Sequence, residues 1–312
     1  MENKIGIIGY GSQGRAIALN LKDSGLDIAI GLKSGSKSRK VANKDGFAPI
    51  LTVSNLVKKV DTICFAFPDH LHGRIYEKEI KPFLKSGVTL WFLHGTSVHF
   101  GFVKPPEDCD VIMIAPHAPG ITVREKYQKE KDLSAFISIY QNFSGQAEKK
   151  ATKLANLIGF KKKNLVNTNF ELEAVGDLFG EQAVLCGGMA GLIKAGYDTL
   201  RKNGFPPENA YLEVSYQLDL IIYLIKNYGI EGMYNRISVA AQFGSVMSSK
   251  KLIDKHVRKQ MEIIFNNIKS GKFPKELNNL TDSDIKKMSK SLKALSSEEF
   301  EEVAKKFSPK NK

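Results

Sequence analysis

Two acidic side chains stand four residues apart in Asp177-Leu178-Phe179-Gly180-Glu181. On a helix that spacing sets both on one face with Cβ atoms about 5–6 Å apart. Like charges there repel. A magnesium ion, which prefers hard oxygen ligands and retains several waters, accounts for such a pair. The same spacing recurs at Glu213 and Gln217, inside an apolar-periodic stretch. Acidic pairs are also common on solvated helix faces, so spacing alone leaves both readings open.

A second pattern, Gly9-Tyr10-Gly11-Ser12-Gln13-Gly14, follows the apolar run Ile5–Ile8 and opens the helix-like Ala16-Ile17-Ala18-Leu19. Gly9 permits a tight turn, Gly11 lets backbone N–H groups approach a pyrophosphate, and Gly14 allows close helix–strand packing. The helix N-terminus adds partial positive charge. This predicts a dinucleotide cradle, with Tyr10, Ser12 and Gln13 in the cofactor loop. Beyond the second strand stand Lys33, Ser36, Ser38 and Arg39, with no carboxylate. A ribose 2′-hydroxyl is usually held by an acid and a 2′-phosphate by basic and hydroxyl groups, so the expected cofactor is NADPH. The alternative is a solvated polar loop.

Elements to position these groups are legible. Apolar runs at Ile5–Ile8, Asp27–Gly31, Thr62–Phe67, Thr89–Leu93, Val111–Ala115 and Ala135–Tyr140 alternate with amphipathic segments, which predicts a doubly wound α/β half with a parallel sheet over residues 1–169. From 170 to 312 strand runs vanish. Apolar residues three or four apart, as in Ala210–Tyr228 and Val257–Ile268, predict a helical domain ending in a helix with frayed polar ends. Leu218, Leu220, Ile221, Ile222, Leu224 and Ile225 make one helix apolar on most of its circumference, which predicts a homodimer or higher oligomer.

Composition limits the alternatives. Of 312 residues 42% are hydrophobic and 25% charged, enough to build a core. The net charge of +13 invites an anionic ligand, but the basic residues are spread and not interleaved with aromatics, so nucleic acid is not expected. Cys64, Cys109 and Cys186 form no motif, there is no signal-peptide pattern, and no apolar run reaches membrane-span length. A cytoplasmic protein is expected, with a small-molecule substrate and no membrane partner.

Longer strings carry a resemblance. IGYGSQG (Ile8–Gly14), GLKSGSKS (Gly31–Ser38), HGTSVHFG (His94–Gly101), VIMIAPHAPGITVR (Val111–Arg124), DLFGEQAVLCGG (Asp177–Gly188) and LIKAGYDTL (Leu192–Leu200) stand in family order, and from Lys4 to about Leu277 the chain resembles short-chain ketol-acid reductoisomerase. The resemblance implies a Rossmann-like N-terminal domain and an all-α, knotted, subunit-pairing C-terminal domain. It implies an NADPH- and magnesium-dependent oxidoreductase of branched-chain amino-acid synthesis. Such an enzyme shifts an alkyl group in a 2-acetohydroxy acid and reduces the resulting 2-keto acid to a 2,3-dihydroxy acid. Asp177 then matches the carboxylate bridging two metals, Glu181 a ligand of the first and Glu213 a ligand of the second. His94 matches the active-site histidine beside the cofactor, and Ser238 the serine that touches the substrate carboxylate.

Departures cluster at the same places. Gln217 stands for a fourth metal-ligating glutamate, so the second magnesium should bind more weakly. His117 stands for the lysine of the family's APKGPG string, Thr96-Ser97 for Phe-Asn, and Val239, Ala240 and Gln242 for Asn, Thr and Glu. Each loss weakens a site that works by electrostatics. The alternatives are therefore an NADPH-dependent reductase of a 2-keto acid or similar carbonyl without alkyl migration, or a non-catalytic NADP-binding homologue.

Overall fold

A computed structural model of the chain describes residues 4–308. In order the strands are β1 (Ile5–Ile8), β2 (Ile28–Gly31), β3 (Thr62–Phe65), β4 (Thr89–Phe92), β5 (Asp110–Pro116), β6 (Ala135–Gln141) and β7 (Leu165–Asn167), in one sheet of order β2-β1-β3-β4-β5-β6-β7. The helices of this half are α1 (Ser12–Asp23), α2 (Ser38–Lys44), α3 (Val53–Val57), α4 (His72–Ile75), α5 (Thr96–His99), α6 (Gly120–Gln128), α7 (Ala147–Leu157) and α8 (Phe170–Gly180).

Strands β1, β3 and β4 are buried at every residue, as a sheet covered on both faces requires. Alternate side chains feed two cores. Ile7, Ile30, Trp91, Ile112 and Ile114 meet Ile17 and Leu21 of α1 and Leu154 of α7. Ile8, Ile63, Phe65, Leu90, Phe92 and Met113 meet Leu56, Tyr76 and Phe170 on the other face.

Two expectations need correction here. The sheet is parallel through β5, but β6 runs antiparallel, pairing Pro116 with Ala135. The reason lies in α6, which packs on α1 and does not cross back over the sheet, so the chain re-enters at the edge it left. Strand β7 was not foreseen, because three residues after the lysine run at 161–163 carry no periodicity.

The chain divides into two compact units, one running to Asp177 and recovering Gly271–Asn279, the other comprising Leu178–Ser270 and the chain from Leu280 onward. The second unit holds α9 (Gly187–Lys202), α10 (Pro207–Tyr211), α11 (Leu218–Tyr234), α12 (Val239–Leu252) and α13 (Lys255–Lys269); α14 (Lys272–Asn278) belongs to the first unit. The expected continuous helix Ala210–Tyr228 is interrupted by a π-helical stretch, Leu212–Tyr216, and a second such stretch, Glu181–Leu185, precedes α9.

Instead of one frayed terminal helix the chain ends in two, α15 (Asp282–Ser296) and α16 (Glu298–Phe307). Thr281 and Asp284 form a reciprocal capping box that starts α15. Buried Val303, with Phe300 edge-on to Tyr197 and Tyr211 and Phe307 stacked on Tyr211, seats α16 on the helical unit. Among the described residues no helix is long and apolar enough to cross a membrane.

Candidate active site

The glycine loop has the geometry its spacing predicts. Gly9 adopts φ +99°, and a Cβ there would strike the Ala66 carbonyl; Gly14 lies against the Gly9 carbonyl and Ala66. Only glycine serves at Gly9, where both conformation and space exclude a side chain. Gly11, in contrast, has open space beside it. Helix α1 begins at exposed Ser12 with no side-chain cap and no acid in its first turn, so its positive end is uncompensated by the chain's own carboxylates there. This fits a dinucleotide pyrophosphate.

Tyr10 and Gln13 belong to the loop but turn into the fold. The buried Tyr10 donates its hydroxyl to Asp45 at 2.8 Å, its ring edge-on to Phe47, and Arg15 closes a bidentate pair on the same carboxylate at 2.7 and 3.0 Å. Burial and the Asp45 charge push the Tyr10 phenol well up. Gln13 donates to the Ala118 carbonyl at 2.7 Å. Both side chains brace the loop from within the fold.

Lys33 and Ser36 lie on the turn between β2 and α2, and Ser36 Oγ accepts the N–H of Ser38, the first residue of α2, at 3.3 Å. Arg39 follows in α2, and its guanidinium donates to the carbonyls of Leu32, Ile50 and Leu51.

At the end of β4 stands His94. Its Nε2 lies 2.8 Å from Asp177 and its Nδ1 3.2 Å from Glu173. Helix α8 supplies both carboxylates: Asn169 caps it by accepting the Leu172 N–H at 2.8 Å, Phe170 anchors it against Phe92 and Tyr140, and one turn separates Glu173 from Asp177. Glu173 is buried and accepts the Gly95 N–H at 2.6 Å. Gly95 leaves no room for a Cβ, which would meet the Phe170 carbonyl and Glu173. Burial works against a charged His94, yet hydrogen bonds to Asp177 and then Glu173 win and raise its pKa well above the ordinary histidine value.

Thr96 Oγ1 lies 2.9 Å from His94 Nδ1. Next to it, buried Ser97 donates to His72 Nδ1 at 2.7 Å while His72 Nε2 donates to the Phe67 carbonyl at 2.8 Å. The two departures Thr96 and Ser97 therefore each find a histidine partner. His117, beyond β5, is exposed; it lies 3.0 Å from Ser134 Oγ and edge-on to Phe136. Partial burial lowers its pKa, against the charges of Asp177 and Glu173.

Ligand atoms of His94, Glu173 and Asp177 all lie within 4.8 Å of one another. Glu173 is spent on Gly95, and His94 is bonded to Asp177, so exposed Asp177 is the oxygen donor left facing outward. A hard divalent ion fits such a carboxylate. Glu173 was missed in the sequence, although Glu173, Asp177 and Glu181 repeat at four-residue intervals.

The remaining candidates lie in the second unit. Glu181 opens one π-helical stretch and Glu213 lies in the other. Gly187 and Gly188 answer the first, since a Cβ on either would strike the carbonyl five residues earlier, of Gln182 or Ala183. Single π-helical turns are frequent at functional sites because they re-aim side chains. Gln217 is exposed and turns its amide back on the Leu212 carbonyl at 3.3 Å. Ser238 caps α12, its Oγ accepting the Ala241 N–H at 3.2 Å and keeping its own hydrogen to donate.

Comparison with known proteins gives concordant matches over both halves. The family model "Acetohydroxy acid isomeroreductase, NADPH-binding domain" matches residues 1–164, and "Ketol-acid reductoisomerase, C-terminal domain" matches residues 170–310. The ketol-acid reductoisomerase (NADP(+)) of Petrotoga mobilis is 43% identical over 275 residues, 88% of this chain and 83% of that one. Its counterpart from Pyrobaculum aerophilum is 44% identical over 272 residues, 87% and 83% of the two chains. Among solved structures, an NADH-preferring ketol-acid reductoisomerase from an uncultured archean superposes with TM-score 0.91 at 34% identity, covering 98% of this chain and 93% of that chain.

Proposed function

The chain belongs to the ketol-acid reductoisomerase family, and from that premise we infer that it converts a 2-acetohydroxy acid to a 2,3-dihydroxy acid with NADPH and magnesium. The observation that carries this reading is the contact of His94 with Asp177 at 2.8 Å, one turn beyond the Gly95-anchoring Glu173. When bound, divalent ions polarise a hydroxyl and an adjacent carbonyl oxygen, and the nicotinamide supplies hydride to the keto group formed by alkyl migration.

The chain's own residues divide the remaining work. The N–H groups around Gly11 and Ser12 bind pyrophosphate, and Lys33 with the hydroxyls of Ser36 and Ser38 meets the 2′-phosphate. Asp177, Glu181 and Glu213 supply anionic oxygens to the metals, and Gln217 a neutral one. Glu173 fixes the backbone at Gly95, so His94 keeps its orientation toward Asp177 and holds its proton against that carboxylate. The Ser238 hydroxyl donates to the substrate carboxylate, and His117 takes the lysine's place with a weaker positive charge.

The helical unit is read as a dimerisation surface, since α11 leaves Leu220, Tyr223 and Ile225 exposed and α12 adds Phe243 and Val246. Light scattering at low protein concentration checks it, and a stable monomer would refute it. A cytoplasmic location is part of the same reading.

The test of function is NADPH oxidation with acetolactate, acetohydroxybutyrate and simple 2-keto acids, each with and without magnesium. Magnesium-dependent turnover of the acetohydroxy acids supports the reading. A second reading, reduction without migration, is favoured by the neutral, backbone-bonded Gln217; turnover of 2-keto acids alone would establish it.

A further inference from the structure

The sequence places Arg39 beside Lys33, Ser36 and Ser38 as one more phosphate donor, but its guanidinium is committed to the backbone. Nη2 donates to the Ile50 carbonyl at 2.7 Å, and Nη1 to Leu32 and Leu51 at 3.0 and 3.4 Å. These carbonyls belong to two segments that run side by side where the sheet edge gives out. Gly31 and Leu51 form a parallel bridge, Leu51 N–H donates to Ile30 at 2.9 Å and Leu32 N–H to Leu51 at 3.0 Å. Leu32 and Ile50 are buried, and among the described residues nothing else donates to their carbonyls. Drawing Arg39 onto a phosphate would orphan both, at the full desolvation cost of a buried acceptor.

Between Leu32 and Arg39 lies the turn that carries the other candidates. Ser36 N–H donates to Lys33 and Arg39 N–H to Ser36, at 3.1 and 3.2 Å, so the Arg39 backbone holds one end of the turn while its side chain holds the other. Lys33 is exposed, and its amine meets no ion-pair partner among the described residues.

We propose that Arg39 is a positioning residue for cofactor discrimination: it locks both ends of the Lys33–Ser38 turn, and the ionic contact to the 2′-phosphate falls to Lys33. The proposal rests on the NADPH reading above and adds which residue recognises the phosphate and which holds the recognising turn in shape.

The experiment compares full-length wild type, Arg39→Met, Arg39→Lys and Lys33→Met by amide hydrogen exchange without cofactor and by equilibrium titration with NADPH and with NADH. Arg39→Met should speed exchange at residues 32–39 and 50–51 and weaken NADPH about tenfold while changing NADH about two- to threefold. Lys33→Met should weaken NADPH about tenfold with exchange at the wild-type rate. Arg39→Lys, whose single ammonium recaptures fewer carbonyls, should fall between on both measures, and it carries the test if the methionine variant does not fold. Weaker NADPH with wild-type exchange in Arg39→Met would make Arg39 a direct ligand and overturn the proposal. Unchanged NADPH affinity would overturn it as well. A wild-type protein that binds NADH as tightly as NADPH would instead refute the NADPH reading and the discriminating role with it, while exchange still reports whether the brace exists.

Discussion

Replacing Glu173 should separate its two tasks, holding Gly95 and facing His94. The Glu173 side chain is 4% exposed and accepts the Gly95 N–H at 2.6 Å. Glu173→Gln keeps an acceptor oxygen but exchanges a charge-assisted bond of about 1.5–3 kcal/mol for a neutral one of about 0.5–1.5 kcal/mol, a loss of about 1 kcal/mol. Glu173→Leu removes the acceptor, and the Gly95 N–H stays buried without a partner, so the loss rises to about 3 kcal/mol. Relief of repulsion between Glu173 and Asp177 offsets little, because His94 lies between them. The assay is built into the chain: Trp91 is the one tryptophan, fully buried in β4 of the same unit, so its fluorescence during urea unfolding reports that unit. The midpoint should move in the order wild type, Gln, Leu with the slope unchanged. Turnover by folded Glu173→Leu should fall about tenfold or more as His94 loses its fixed backbone. A leucine variant within about 0.5 kcal/mol of wild type would show that Gly95 finds another partner and would refute the reasoning.

Three further outcomes follow from other sites. Gln217→Glu restores an anionic oxygen, so magnesium should raise the melting temperature at a concentration about tenfold lower than in wild type, and unchanged magnesium dependence would count against the two-metal reading. Burial holds the His72 pKa below 6.5, so the unfolded chain takes up a proton before the folded one. Between the folded pKa and 6.5 this group's contribution to stability therefore falls as pH drops, by at most about 1.4 kcal/mol per pH unit. The stability difference between wild type and His72→Gln should shrink toward acid, and a flat difference would show that His72 does not titrate in this way. Tyr10→Phe removes the hydroxyl on Asp45 and should cost about 1 kcal/mol, read by urea unfolding, with NADPH binding several-fold weaker, read by calorimetric titration; unchanged affinity would detach the Tyr10–Asp45 brace from the cofactor loop.

Local chemistry wrote much of this protein into its sequence. The spacing of Gly9 and Gly14 reports a backbone constraint that only glycine meets, and the apolar runs of β1, β3, β4 and β5 report strands buried on both faces, so both are legible without neighbours. The four-residue interval of Asp177 and Glu181 is equally local. What the sequence alone did not decide are the relations that depend on distant segments. Arg39 looks like a phosphate ligand until Ile50 and Leu51 come alongside Leu32 and claim its donors. Tyr10 looks like part of the cofactor cradle until Asp45 and Phe47 draw it inward. His94 is one histidine after a strand until α8 brings Glu173 and Asp177 to its two ring nitrogens. A side chain's donors go to the best acceptors within reach, and which acceptors are within reach is settled by packing between segments tens of residues apart; for the same reason the direction of β6 was decided by where α6 packs and not by the pattern of β6 itself.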